Sequence, residues 1–175
     1  LMPILLNFIK LMRKKYNDIT YVFHSTKEHS KLIQIYIKNS SLSNCEVISD
    51  TKFKAHLLKK SIFSVAKSGT VSLEICNAKI PSIIIYKMNF INFLIIKMLI
   101  KIKYANIINI AANDEVIPEL LQSKCNPKNI FSVVSSFLDA PAKVQEQVKK
   151  TQTILNQLKT DSSSSELACK ALNRL

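Results

Sequence analysis

The chain has 175 residues, a length that suits one domain or one lobe of a larger protein. It carries 25 Lys and Arg residues against 12 Asp and Glu, a net charge of +13, and all the basic residues except Arg13 and Arg174 are lysines. Because sequence-specific DNA readers depend on the bidentate contacts of arginine, this composition excludes specific DNA binding and leaves an attraction for anionic lipids or phosphorylated ligands. The four cysteines form no CxxC pair and the three histidines have no metal-ligand spacing, so we expect no metal, no cofactor and a reducing compartment.

The first elements in chain order are a helix at 2–15, a strand at 19–23 and a helix at 27–38. Apolar residues recur at helical spacing in the two helices, and the strand is β-branched and aromatic. The sequence starts with leucine and is at once in helical rhythm, without a preceding strand, cap or signal peptide. We therefore expect that the beginning of the protein is missing.

The same alternation continues with strands at 46–49, 61–66 and 81–86 and helices at 53–60 and 71–77. The strand at 81–86 is continuously apolar, as strands are when helices cover both faces of a parallel sheet. This pattern predicts an α/β fold, a Rossmann-like parallel sheet with flanking helices.

Residues 88–104 are strongly apolar, but their longest uncharged run is nine residues, whereas a bilayer span needs about 20. Lys97, Lys101 and Lys103 follow this run, so we predict a basic amphipathic helix. Two interpretations stay open: the helix packs on a partner domain, or it lies at a membrane surface.

Helices are predicted at 118–123, 127–138 and 141–159. A linker at 160–165 and a short amphipathic helix at 166–175 follow. We expect a Rossmann-like domain at 1–140 and a C-terminal helical extension at 141–175, whose detached last helix would suit exchange between the subunits of a homodimer.

The single glycine of the chain, Gly69, lies where an apolar strand ends and a helix begins. In an open α/β sheet this junction lies at the carboxyl edge, where ligands bind, and glycine allows both a positive φ and a close backbone approach to phosphate or sugar. Ser68 and Thr70 add hydroxyl groups, and Glu74, one helical turn later, could accept hydrogen bonds from ribose. A plain turn with a serine or threonine cap and an exposed acid explains the same residues equally well.

Residues 66–122 resemble the C-terminal half of lipid-A-disaccharide synthases, the bacterial enzymes that join two acylated glucosamine units. The resemblance rests on an ordered set of short matches rather than on one motif. The set is Ser68-Gly69-Thr70, Leu73-Glu74, Pro81, Tyr86-Lys87, Tyr104, Asn109, and Glu115 with Pro118-Glu119-Leu120-Leu121-Gln122.

The resemblance implies the C-terminal domain of a GT-B fold, which has two facing Rossmann-like domains. This domain binds the UDP of the donor UDP-2,3-diacylglucosamine. The sugar passes to 2,3-diacylglucosamine 1-phosphate (lipid X) without a metal, at the cytoplasmic side of the inner membrane. The resemblance assigns to donor binding Ser68, Gly69, Thr70, Glu74 and Asn109, with Glu119 and Gln122 as weaker candidates that support the loop.

The chain departs from the family pattern in three places. Ile108 replaces a proline and Asn113 replaces a glycine, while a Leu-Pro-Gly-Ser-Arg segment and the whole N-terminal domain are missing before Leu1. The acceptor site and catalytic base belong to that domain, so we assign no catalytic residue and expect no turnover by this chain without its missing half. Two alternatives remain: a non-catalytic basic module that binds membrane lipid or RNA, and another nucleotide-sugar transferase of the same architecture.

Overall fold

The computed structural model describes residues 1–89 and 103–159, together with Cys169 and Leu172. The predicted amphipathic helix at 88–104 falls largely, and the linker at 160–165 and the last helix at 166–175 almost entirely, outside the described residues. The elements are, in chain order, α1 (Met2–Arg13), β1 (Tyr21–His24), α2 (Lys27–Asn39), β2 (Cys45–Ile48), α3 (Thr51–Lys60), β3 (Ser64–Lys67), α4 (Val71–Asn77), β4 (Ser82–Tyr86), α5 (Ile107–Ala112), β5 (Glu119–Leu121), a 3₁₀ turn (Gln122–Lys124), α6 (Pro127–Leu138) and α7 (Pro141–Leu158).

All five strands pair in parallel. β1 pairs with β2, and β4 lies between β3 and β5 in a second sheet. Ile84 in the middle of β4 is opposite Ala66 on one side and Glu119 on the other. The predicted α/β arrangement, parallel strands with flanking helices, is confirmed.

β4 supplies both hydrophobic cores because successive side chains of a strand point to opposite faces. Ile83 and Ile85 lie in the core that α1 and α6 cover, whereas Ile84 lies in the core that contains Ile75 of α4 and Ile154 of α7. The three isoleucines are 0–3% exposed. The continuous apolar run that predicted a sheet covered on both faces therefore has this physical cause.

α7 is packed against the preceding elements. Gln147 is buried; its Oε1 accepts from the N–H of Ser82 at 2.7 Å, and its Nε2 donates to the carbonyl oxygens of Ser82 and Val116. Together with Ile154 it fastens the first part of the predicted extension to the sheet. The boundary between residues 140 and 141 stays a prediction.

The helix predicted at 118–123 is wrong. Residues Glu119–Leu121 form β5, which pairs with the end of β4, and a 3₁₀ turn follows at Gln122–Lys124. Pairing with a buried strand outweighs the helical preference of a segment this short. The six-residue helix α5 was not predicted; the side chain of Asn106 caps it by accepting from the N–H of Ile108.

Candidate functional site

The carboxyl ends of β3, β4 and β5 form one edge of their sheet. β3 ends at Lys67, β4 at Tyr86 and β5 at Leu121. Two groups of the predicted site residues come directly after these ends: the Ser68-Gly69-Thr70 segment after β3 and Gln122 after β5. The structure thus places them at the edge where parallel α/β sheets bind ligands.

Gly69 has a φ of +151°, a conformation that side-chain-bearing residues rarely adopt. A Cβ built on it meets nothing within 4 Å, so backbone conformation, and not packing within the protein, requires the glycine. Gly69 and Thr70 are exposed, and Thr70 makes no side-chain cap to α4. The alternative of a simple threonine-capped turn therefore loses its cap, and the space above Gly69 is open.

Ser68 connects this segment to the loop before α5. Its hydroxyl donates to the carbonyl oxygen of Ala105 at 2.6 Å. The N–H groups of Ala105 and Asn106 in turn donate to the two carboxylate oxygens of Glu119, each at 2.8 Å. Glu119, at the start of β5, thereby fixes the loop that Ser68 contacts.

Asn109 belongs to the same network and is fully buried. Its Nδ2 donates to the carbonyl oxygen of Ile117 at 2.7 Å and to Oε1 of Glu119 at 2.8 Å, while its Oδ1 accepts from the N–H of Ile117. Both amide hydrogens are thus used inside the protein, and a ligand contact would require one of these bonds to break. In this arrangement Asn109 holds the loop together; its direct contact with a donor stays a prediction.

Gln122 combines two unfavourable features. Its φ of +50° lies in the left-handed region, and within the described part of the chain its buried Nε2 has no hydrogen-bond partner, although Oε1 accepts from the N–H of Met88 at 3.2 Å. A buried donor without a partner costs about 1–3 kcal/mol, and backbone strain concentrates at functional sites. An amide donor held in this way at the sheet edge is available to a ligand acceptor.

Glu74 lies on α4 one turn after Thr70 and forms an ion pair that the sequence did not reveal. Its Oε2 is 2.5 Å from Nζ of Lys54 on α3. His24, the last residue of β1, is close to both charges: partial burial lowers its pKa, the positive charge of Lys54 lowers it further, and Glu74 opposes the shift. The end of β1 could have indicated His24, but nothing distinguishes Lys54 from the many other lysines of the chain.

Other chemistry finds little support at the described residues. None of them forms a group of three or more His, Cys, Asp or Glu side chains suited to a metal ion. Burial raises the pKa of the Cys76 thiol to about 11, which leaves it protonated at neutral pH. Within the described helices, no apolar stretch is long enough to cross a bilayer.

The fold and the edge site define an α/β protein with an open parallel sheet and a glycine-containing turn at its ligand-binding edge. Comparison with known proteins narrows this class. The chain belongs to the lipid-A-disaccharide synthetase family, whose sequence model matches residues 1–172. The resemblance inferred from the short matches is confirmed.

Three relatives carry the name lipid-A-disaccharide synthase. That of Rickettsia prowazekii (strain Madrid E) is 35% identical over 165 residues, which are 94% of this chain and 43% of the relative. That of Rickettsia typhi is 34% identical over 176 residues, 99% of this chain and 46% of the relative. That of Rickettsia canadensis is 40% identical over 117 residues. The chain thus spans less than half the length of these curated relatives.

Proposed function

We propose that the chain is the donor-binding half of a lipid-A-disaccharide synthase with a GT-B fold. It binds the UDP group of UDP-2,3-diacylglucosamine, whose sugar passes to lipid X in lipid A biosynthesis. A separate N-terminal half supplies the acceptor site and the catalytic base. The observation that carries the proposal is the exposed Gly69 turn at the carboxyl edge, in a chain that belongs to this family.

Each group at the edge has a role in this proposal. The turn at Ser68, Gly69 and Thr70 lets backbone approach the nucleotide, because no Cβ fills the space above Gly69. Glu74, 48% exposed, accepts from the ribose hydroxyls. The unpartnered Nε2 of Gln122 donates to an oxygen of the donor and gains the partner that it lacks within the described residues.

Glu119 and Asn109 support the loop from behind. Their shared hydrogen bonds hold residues 105–109 against Ser68, so the turn and the loop keep a fixed relative position. The chain binds and orients the donor, and we assign no general base among its residues. Transfer then depends on the other half of the enzyme, and this chain alone has no turnover.

Calorimetric titration of the chain with UDP tests the proposal. We expect saturable binding of UDP that Gln122→Leu weakens, because the variant removes the free amide donor, with Gln145→Leu on the exposed side of α7 as the matched control. Heat that does not saturate, or equal affinities for the wild type and Gln122→Leu, contradicts donor binding at this edge. Adding an N-terminal half from a relative then tests whether sugar transfer returns.

A second candidate, attachment to an anionic membrane surface, is favoured by one groove. The groove, about 700 Å³, lies between α1 and the start of α6 and is lined by Lys10, Lys14 and Lys128. All three side chains are exposed, which suits phosphate-bearing headgroups. Sedimentation with vesicles containing anionic lipid tests this; replacing the three lysines by glutamine should abolish it, and unchanged sedimentation of that variant would exclude the groove. Peripheral attachment in this way would place the protein at the cytoplasmic side of the inner membrane.

A further inference from the structure

The Lys54–Glu74 ion pair connects two helices that belong to different sheets. α3, which carries Lys54, follows β2 of the first sheet, whereas α4, which carries Glu74, follows β3 of the second. The ammonium nitrogen and Oε2 are 2.5 Å apart, and the side chain of Lys54 is only 22% exposed. The pair thus fixes one carboxylate oxygen by a cation that is itself largely covered.

The remainder of the Glu74 carboxylate faces outward. Glu74 is 48% exposed, and it lies one helical turn after the exposed Thr70 and next to the Gly69 turn. A carboxylate oxygen accepts more than one hydrogen bond, so occupation by Lys54 leaves acceptor sites for an outside hydroxyl pair. A free glutamate on a short helix samples several rotamers, and the lysine selects one of them.

Stability alone gives this pair little importance, since partly exposed ion pairs contribute weakly to folding. α3 contributes the partly buried Leu58 to the cores, so apolar contacts already attach it. What the pair determines more strongly is the direction of the Glu74 carboxylate at the sheet edge. Geometry of this kind matters when a ligand has two hydroxyl groups at a fixed spacing.

We propose that Lys54 is a positioning residue: it holds the Glu74 carboxylate in the orientation that accepts the vicinal hydroxyls of a nucleoside sugar. This inference rests on the proposed function, because it requires that UDP binds at this edge. Lys54 does not contact the diphosphate in this proposal. It acts through Glu74, and it favours a ribonucleotide over a deoxyribonucleotide.

Titration with three probes distinguishes this role from a phosphate contact and from a structural role. UDP, uridine and 2′-deoxy-UDP are titrated into the wild type and Lys54→Met, with Lys59→Met on the same helix as the control, because Lys59 is an exposed lysine in the last turn of α3. We expect Lys54→Met to weaken UDP and uridine by on the order of tenfold, the loss of a hydrogen bond to a charged group, and to leave 2′-deoxy-UDP almost unchanged. Lys54→Arg, which keeps the charge, should restore most of the discrimination.

The outcomes separate this inference from the proposed function. A wild type that binds none of the probes overturns both. A wild type that binds UDP, with the same preference over 2′-deoxy-UDP in Lys54→Met, overturns the positioning role alone. Loss of UDP binding with uridine binding unchanged also overturns it, because that result assigns Lys54 to the phosphates.

Discussion

Replacing Glu119 by glutamine removes one oxygen from the buried centre of the candidate site. The carboxylate accepts three hydrogen bonds at 2.8 Å, from the N–H groups of Ala105 and Asn106 and from Nδ2 of Asn109. In the best orientation the glutamine oxygen keeps the two bonds of Oε1. Its NH₂ group then faces the N–H of Ala105, so one buried donor loses its acceptor.

The cost follows from these contacts. One buried donor without a partner costs about 1–3 kcal/mol, and the two remaining hydrogen bonds lose the strengthening that the negative charge provides. We therefore expect Glu119→Gln to lower the free energy of unfolding by about 2–4 kcal/mol. This is a large part of the ~5–15 kcal/mol that stabilises a typical domain.

Urea unfolding followed by circular dichroism measures this loss. Glu146→Gln is the matched control: Glu146 is an exposed glutamate whose partner is Lys150 on the same helix, and its replacement should leave the unfolding midpoint unchanged. The amide resonances of Ser68 and Gly69 should also shift in Glu119→Gln, since the loop that Ser68 contacts loses an anchor. A Glu119→Gln protein as stable as the wild type would refute the argument that this carboxylate organises the site.

Three further predictions concern parts of the fold around the site. Gln147→Leu should lower the free energy of unfolding by about 2–3 kcal/mol, because backbone groups of Ser82 and Val116 lose their buried partner; urea midpoints compared with Gln145→Leu measure this, and equal midpoints would contradict it. Asn113, at the end of α5, has a φ of +50°, so Asn113→Ala should cost about 1 kcal/mol by thermal unfolding whereas Asn113→Gly should not. Asp139 has a lowered pKa because Lys15 and then Tyr16 bond to it; the stability it supplies is present above its ordinary value of 3.8 and is lost as the pH falls through the lower folded value. Asp139→Asn should therefore unfold more easily than the wild type at neutral pH, and the two midpoints should converge in acid; a constant difference at all pH values would contradict this.

The buried strands and amphipathic helices could be predicted because one local pattern determines each of them. The continuous apolar run of β4 indicated two covered faces, and Pro127 after the capping Asn126 marked the start of α6. Gly69 is the same kind of case. Its rarity in the sequence indicated a special backbone conformation, and its φ is +151°.

Features that depend on distant partners could not be predicted. β5 has three residues, too few for a period, and it is a strand because it pairs with β4. Lys54 and Glu74 are 20 positions apart on separate helices, and only the packing of those helices joins them. Likewise, the sequence marked Asn109 as polar and therefore available to a ligand, whereas its neighbours Ile117 and Glu119 occupy both of its amide hydrogens.

Titration of the isotope-labelled chain with UDP, followed by NMR with a short RNA as control, tests the central claim most directly. The account predicts chemical-shift changes concentrated at residues 68–74 and around Gln122, with smaller changes at Asn109 and Glu119 behind the loop. The RNA should cause no shifts at these positions. A folded chain whose spectrum UDP leaves unchanged, or one that responds selectively to the RNA, would contradict donor binding at the carboxyl edge.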